Sequence, residues 1–143
     1  MAKNLDELRT VVRARGLRAT PSRLAVLELV RASDSPMSHS EVADRLDNQA
    51  WDRATIYRNL VDLAEAGLLR RTDVGDHVWR FEAMGDDRDG AHPHFVCTEC
   101  GTVECLPDLE LSMTNASRRT KAPKAVRQQK VEVHVRGLCD ACM

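Results

Sequence analysis

Two cysteine pairs constrain this chain more than anything else in it. Cys97-Thr98-Glu99-Cys100 and Cys139-Asp140-Ala141-Cys142 are each a C-x-x-C, and 38 residues separate Cys100 from Cys139. A C-x-x-C turn aims two sulfurs at one point, and two such turns close a tetrahedral zinc site with no coordination position left for a substrate. The expected zinc is therefore structural. The separation exceeds the roughly 15–20 residues of a simple zinc ribbon, so the clamp would hold a helix and a strand rather than one loop. Neither pair follows a strand and opens a helix, as redox C-x-x-C chemistry wants. At 143 residues the chain makes one ordinary domain or two small ones, and with aromatics at only 3% the cores must be aliphatic. A unit of about 50 residues with so thin a core needs a staple, and zinc binding can supply on the order of 10 kcal/mol of folding free energy.

The N-terminal half, residues 1–83, reads as short amphipathic helices followed by a hairpin. Leu5, Leu8, Val11 and Val12 recur at helical steps up to a stop at Gly16. Thr20 and Pro21 then open a second helix, carrying Leu24, Leu27 and Val30, that runs to about Ala32. Ser38-His39-Ser40-Glu41 has the form of a capping box for a third helix with Val42, Ala43 and Leu46 on its apolar face. Asp52 caps a fourth, with Ile56, Leu60, Leu63 and Ala64 on one face and a stop at Gly67. The period then changes to two, over 68–72 and 77–81, around a turn at 73–76. Residues 84–91, rich in Gly and Asp, read as a linker. In 92–143 the pattern predicts strands at 94–97 and 102–106, a helix over 108–119, and a last strand in which Val131, Val133 and Val135 alternate up to Gly137.

Lys+Arg is 21 against 22 for Asp+Glu, so no global basic field marks a nucleic-acid binder, and any such surface has to be local. One exists. Between Arg9 and Arg31 stand Arg9, Arg13, Arg15, Arg18, Arg23 and Arg31 against the single acid Glu28, a local +5. That stripe suits phosphates. The fourth helix displays Arg53, Thr55, Tyr57 and Arg58 near its N-terminal end, a disposition suited to the major groove, and the arginine-flanked hairpin would be the wing. No apolar run approaches the ~18 residues of a membrane helix, and the first residues lack the core of a signal peptide. The expected setting is cytoplasmic, where the five cysteines stay reduced.

His92-Pro93-His94 puts two imidazoles on one side of an extended segment, and Glu82 lies on the other side of the linker. Two histidines and a carboxylate make a mixed N/O site that accepts Zn²⁺, Fe²⁺, Mn²⁺ or Ni²⁺. Cys105 is the odd cysteine, in a strand, where a free thiol serves as a small buried hydrophobe or as a metal or redox group.

Taken together, these pieces resemble the ferric uptake regulator superfamily of bacterial metalloregulators. The matching segments are Gly16-Leu17-Arg18-Ala19-Thr20-Pro21-Ser22-Arg23, Ala54-Thr55-Ile56-Tyr57-Arg58-Asn59-Leu60, Arg80-Phe81-Glu82, His92-Pro93-His94-Phe95-Val96-Cys97-Thr98-Glu99-Cys100-Gly101 and Gly137-Leu138-Cys139-Asp140-Ala141-Cys142. The resemblance implies an α+β chain: an N-terminal winged-helix DNA-binding domain, then a small α/β dimerisation domain with one structural zinc on Cys97, Cys100, Cys139 and Cys142. It further implies a regulatory metal near the hinge at Glu82, His92 and His94, and a homodimer that binds palindromic double-stranded DNA. By the same analogy Tyr57 and Arg58 contact DNA while Arg18, Thr20 and Arg23 grip phosphates. The chain also departs from the pattern. The sensor histidine common before the third helix falls near Pro36, with His39 the nearest histidine. A histidine usual eight residues before the third zinc cysteine is replaced by Val131, with His134 displaced from it. Glu104-Cys105 stands where iron and peroxide sensors tend to have a carboxylate. His39, Cys105 and His134 are thus candidates for a further ligand, and a thiolate favours zinc over iron or manganese as the sensed ion.

The resemblance therefore implies a metal-dependent repressor concerned with metal uptake or homeostasis, with a peroxide- or redox-responsive regulator of the same fold as the alternative. A zinc hydrolase or deaminase fits less well, because the deaminase pattern needs His-x-Glu ahead of Pro-Cys-x-x-Cys and no glutamate lies between His92 and Cys97. A zinc interaction module that ignores DNA would leave the arginine stripe and the capped fourth helix without a role.

Overall fold

The computed structural model describes residues 2–84, 92–119 and 121–143, and the chain divides into two compact units, Met1–Asp86 and Asp87–Met143. The linker expected over 84–91 lies, apart from Met84, outside the described residues.

The first unit runs α1 (Ala2–Ala14), α2 (Pro21–Ala32), β1 (Met37–Ser38), α3 (His39–Arg45), α4 (Arg53–Glu65), β2 (Leu69–Asp73) and β3 (Trp79–Ala83). Its helices begin where their caps dictate. Thr20 accepts from the Arg23 N–H with Pro21 at the first helical position, the Ser38 and Glu41 side chains close a reciprocal capping box, and Asp52 accepts from the Thr55 N–H. Gly67, at φ +79°, ends α4 in a left-handed conformation, and a Cβ there would lie 3.2 Å from the Arg15 guanidinium. Leu8, Val12, Leu27, Ile56, Leu60 and Phe81 belong to one apolar cluster of fifteen buried side chains. Four helices and a hairpin around one core make a winged helix.

The hairpin sits further along the chain than the alternation suggested. Its register pairs Leu69 with Ala83 and Asp73 with Trp79, leaving a loop of 74–78. Asp73 Oδ1 accepts from the Gly75 N–H at 2.8 Å and Asp76 Oδ1 from the Val78 N–H at 3.1 Å, so these aspartates hold residues 75–78 in turns instead of a strand. The two-residue β1, which pairs with β3 through Met37 and Phe81, is too short for any periodicity to reveal.

The second unit holds β4 (His94–Cys97), β5 (Val103–Cys105), α5 (Lys124–Arg127) and β6 (His134–Gly137), with sheet order β5-β4-β6, β5 antiparallel and β6 parallel to β4. The helix expected over 108–119 does not form. That stretch is irregular, and Leu109, Leu111 and Met113 alternate along it while remaining exposed, so no apolar helical face exists to be buried. A single short turn of helix, α5, follows instead. β6 also starts three residues later than the valine alternation implied. Pro93, which has no N–H, precedes β4, so the ladder opens where the His94 N–H donates to the Val133 carbonyl at 3.0 Å. No helix among the described residues is long and apolar enough to cross a membrane.

Candidate metal centres and nucleic-acid face

The parallel pairing of β4 and β6 is what brings the two cysteine pairs together. Parallel strands end on the same side of a sheet, and the register sets Cys97 beside Gly137, so the turns that follow each strand meet. Gly101, at φ +74°, lets the first turn reverse into β5, and the Thr98 N–H ties that turn to the Gly137 carbonyl at 2.9 Å. The Sγ atoms of Cys97, Cys100, Cys139 and Cys142 all lie within 4.8 Å of one another, Cys100 and Cys139 being 3.7 Å apart. Four sulfurs at about 2.3 Å from a tetrahedral zinc are separated by about 3.7–3.8 Å, so the donor set fits that ion. The electrostatics agree. Backbone N–H groups of Cys100 and Cys139 pull the Cys97 thiol down to about 6, and the Thr102 hydroxyl lowers Cys100, whereas sulfurs of Cys139, Cys100 and Cys97 push Cys142 up to about 12. A cation among them would oppose that upward push and favour the Cys142 thiolate.

A second donor cluster occupies the opposite end of the same sheet. His94 opens β4 and is register partner to Cys105 at the end of β5, so the two side chains share a face. His92, two residues before His94, places its ring centroid 4.9 Å from that of His94. One donor atom from each of His92, His94 and Cys105 lies within 4.8 Å of the others. His94 is 1% exposed, His92 is half-buried, and Cys105 is partly exposed, not the fully buried small hydrophobe that was one reading of it. Glu82 belongs to the first unit, buried on β3 opposite Arg70.

In the first unit, α4 buries Ile56, Asn59, Leu60 and Leu63 and leaves Arg53, Tyr57 and Arg58 exposed near its N-terminal end. The Thr55 hydroxyl and N–H both bond the Asp52 carboxylate, which holds that carboxyl below its usual range and fixes the start of the helix. Arg53 pairs with Asp44, and its carbonyl meets His39 Nε2 at 2.8 Å; the His39 ring stands edge-on to Tyr57 with centroids 5.3 Å apart. Arg23 joins Asp62 of α4 at 2.7 Å and donates to the Arg18 carbonyl at 2.8 Å. The buried Asn59 amide donates to Ser22 at 3.0 Å. Sequence reading missed these braces, whose only signal was an arginine in α2 and an aspartate on the polar face of α4. Arg18 is exposed, Thr20 is occupied as the cap of α2, and on the wing Arg71 stacks over the exposed Trp79 ring at 4.4 Å.

A winged helix followed by a small sheet that gathers four cysteines defines a DNA-binding regulator with a zinc site, and the comparisons with known proteins agree. Residues 14–134 match the ferric uptake regulator family, and the chain belongs to that family. Its members are transcriptional regulators and not enzymes. The chain is similar to the ferric uptake regulation protein of Bordetella parapertussis, at 40% identity over 66% of this chain and 70% of that one. It is also similar to the zinc uptake regulation protein of Escherichia coli, at 30% identity over 97% and 81%. Its fold resembles the ferric uptake regulator of Helicobacter pylori, with a TM-score of 0.67 at 16% identity over 99% of this chain and 92% of that one.

Proposed function

We propose that this protein is a metal-dependent repressor of metal-uptake or metal-homeostasis genes, acting as a homodimer on palindromic operators. In this reading Cys97, Cys100, Cys139 and Cys142 hold a structural zinc. Glu82, His92 and His94 hold the regulatory ion, with Cys105 as an additional thiolate ligand, and the bound ion supplies a fixed point to which those side chains are tied. Dimers whose ligands are so tied favour the arrangement that fits two operator half-sites over the others open to them. Arg53, Thr55, Tyr57 and Arg58 face the major groove. Arg18, Thr20 and Arg23 lie toward the phosphates, Arg23 also acting through its brace to Asp62, and His39 acts by holding the start of α4.

The observation that carries the reading is the convergence of His92, His94 and Cys105 on one face of the sheet that also gathers the four cysteines. A mixed imidazole and thiolate set favours zinc over iron or manganese. The half-exposed Leu109, Leu111 and Met113 of the second unit are apolar side chains that a second copy would cover. The test is an operator-binding titration of protein carrying only its four-cysteine zinc, with Zn²⁺, Fe²⁺, Mn²⁺ and Ni²⁺ in turn. Zn²⁺ should activate binding at the lowest free concentration, and activation by none of the four would overturn the reading.

A further inference from the structure

The donor row of the second unit does not stop at β4. His94 is register partner on one side to Cys105 of β5 and on the other to His134 of β6, so Cys105, His94 and His134 stand abreast across three strands with their side chains on one face. The His94 and His134 rings meet edge-on with centroids 6.0 Å apart, and those of His92 and His94 are 4.9 Å apart. Two imidazoles on one tetrahedral zinc, with a Zn–N distance of about 2.0–2.1 Å, have centroids about 5.2 Å apart. The two observed separations fall on either side of that value, and the His134 ring has to move closer to His94 to share an ion with it. His134 Nε2 is buried and makes no hydrogen bond, with Glu132 Oε2 at 3.8 Å, beyond hydrogen-bond reach.

We propose that His134 is a further ligand of the regulatory ion, so that the second unit supplies it with the three imidazoles of His92, His94 and His134 and the Cys105 thiolate. The proposal rests on the reading of His92 and His94 as metal ligands and adds to it a residue of β6.

Cobalt(II) titration of the full-length protein with its four-cysteine zinc in place tests this, because cobalt d–d bands report coordination number and thiolate-to-cobalt charge transfer reports the sulfur. His134→Gln should weaken cobalt binding roughly 10–100-fold and shift the d–d bands. His134→Cys should restore tight binding and add a second thiolate to the charge-transfer band. Retained zinc content shows that each variant folds, and if His134→Gln loses that zinc, His134→Cys decides: a charge-transfer band no stronger than the parent's overturns the proposal. Parent-like affinity and d–d bands in His134→Gln, with cobalt binding lost in His92→Ala and His94→Ala, would remove His134 from the centre and leave the underlying reading intact. Parent-like cobalt binding in His92→Ala and His94→Ala would defeat that underlying reading instead.

Discussion

The two units are held together by different physics. The first buries an apolar cluster of fifteen side chains built from helices whose ends are capped, so its stability is spread over many contacts. In the second, Pro93, Val96, Cys97 and Val103 are the buried apolar side chains among the described residues, and its two ends are tied by cysteine turns at one end and by a row of histidine and cysteine donors at the other. A unit built in the first way folds from its own composition; one built in the second folds with its ligand. The same contrast agrees with the proposed roles, in which a preformed core presents a rigid reading helix and a ligand-dependent sheet responds to the ligand.

Removing the structural zinc should separate the units most sharply. Cys97→Ser, Cys100→Ser, Cys139→Ser or Cys142→Ser should unfold the second unit while the helices of the first persist. Amide hydrogen exchange resolved along the chain checks this: protection should vanish over 94–137 and remain over 8–81. Loss in both, or in neither, would break the comparison. The reciprocal change is Leu60→Ala, which empties a fully buried position of the first unit and should cost about 2–5 kcal/mol in denaturant unfolding without changing the zinc content.

Smaller changes probe function and then local structure. Tyr57→Ala and Arg58→Ala remove exposed side chains of α4 and should weaken operator binding by about 1–3 kcal/mol each, with metal content and dimer mass unchanged in sedimentation. Ser38→Ala breaks one arm of the capping box of α3 and should lower the stability of the first unit by about 1 kcal/mol, leaving cobalt spectra of the second unaltered.

How much could be read before any coordinates follows the same division. Where a helix buries a face, its periodicity and caps appear in the residue pattern, so Thr20 with Pro21, the Ser38 and Glu41 pair, and Asp52 each mark a helix start that the fold keeps. Over 108–119 nothing buries a face, and the acids and apolar residues there suggested a helix that has no core to rest on. Thr114, Asn115 and Ser117 in that stretch also favour turns over helix. The C-x-x-C spacing announced the four-cysteine cluster because each pair is local. His134 was readable as a candidate ligand, but its place beside His94 was not. It depends on which strand lies parallel to β4 and in what register, and strand pairing of that range leaves no periodic trace.

In the proposed reading, donors on the second unit govern DNA binding by the first. Operator affinity as a function of free Zn²⁺ tests this for the parent protein and for His92→Ala and His94→Ala, each confirmed to hold the four-cysteine zinc. The parent should gain affinity as zinc rises, and both variants should stay at the metal-free level throughout. Variants that respond to zinc as the parent does would contradict it and return His92 and His94 to the surface of an ordinary sheet.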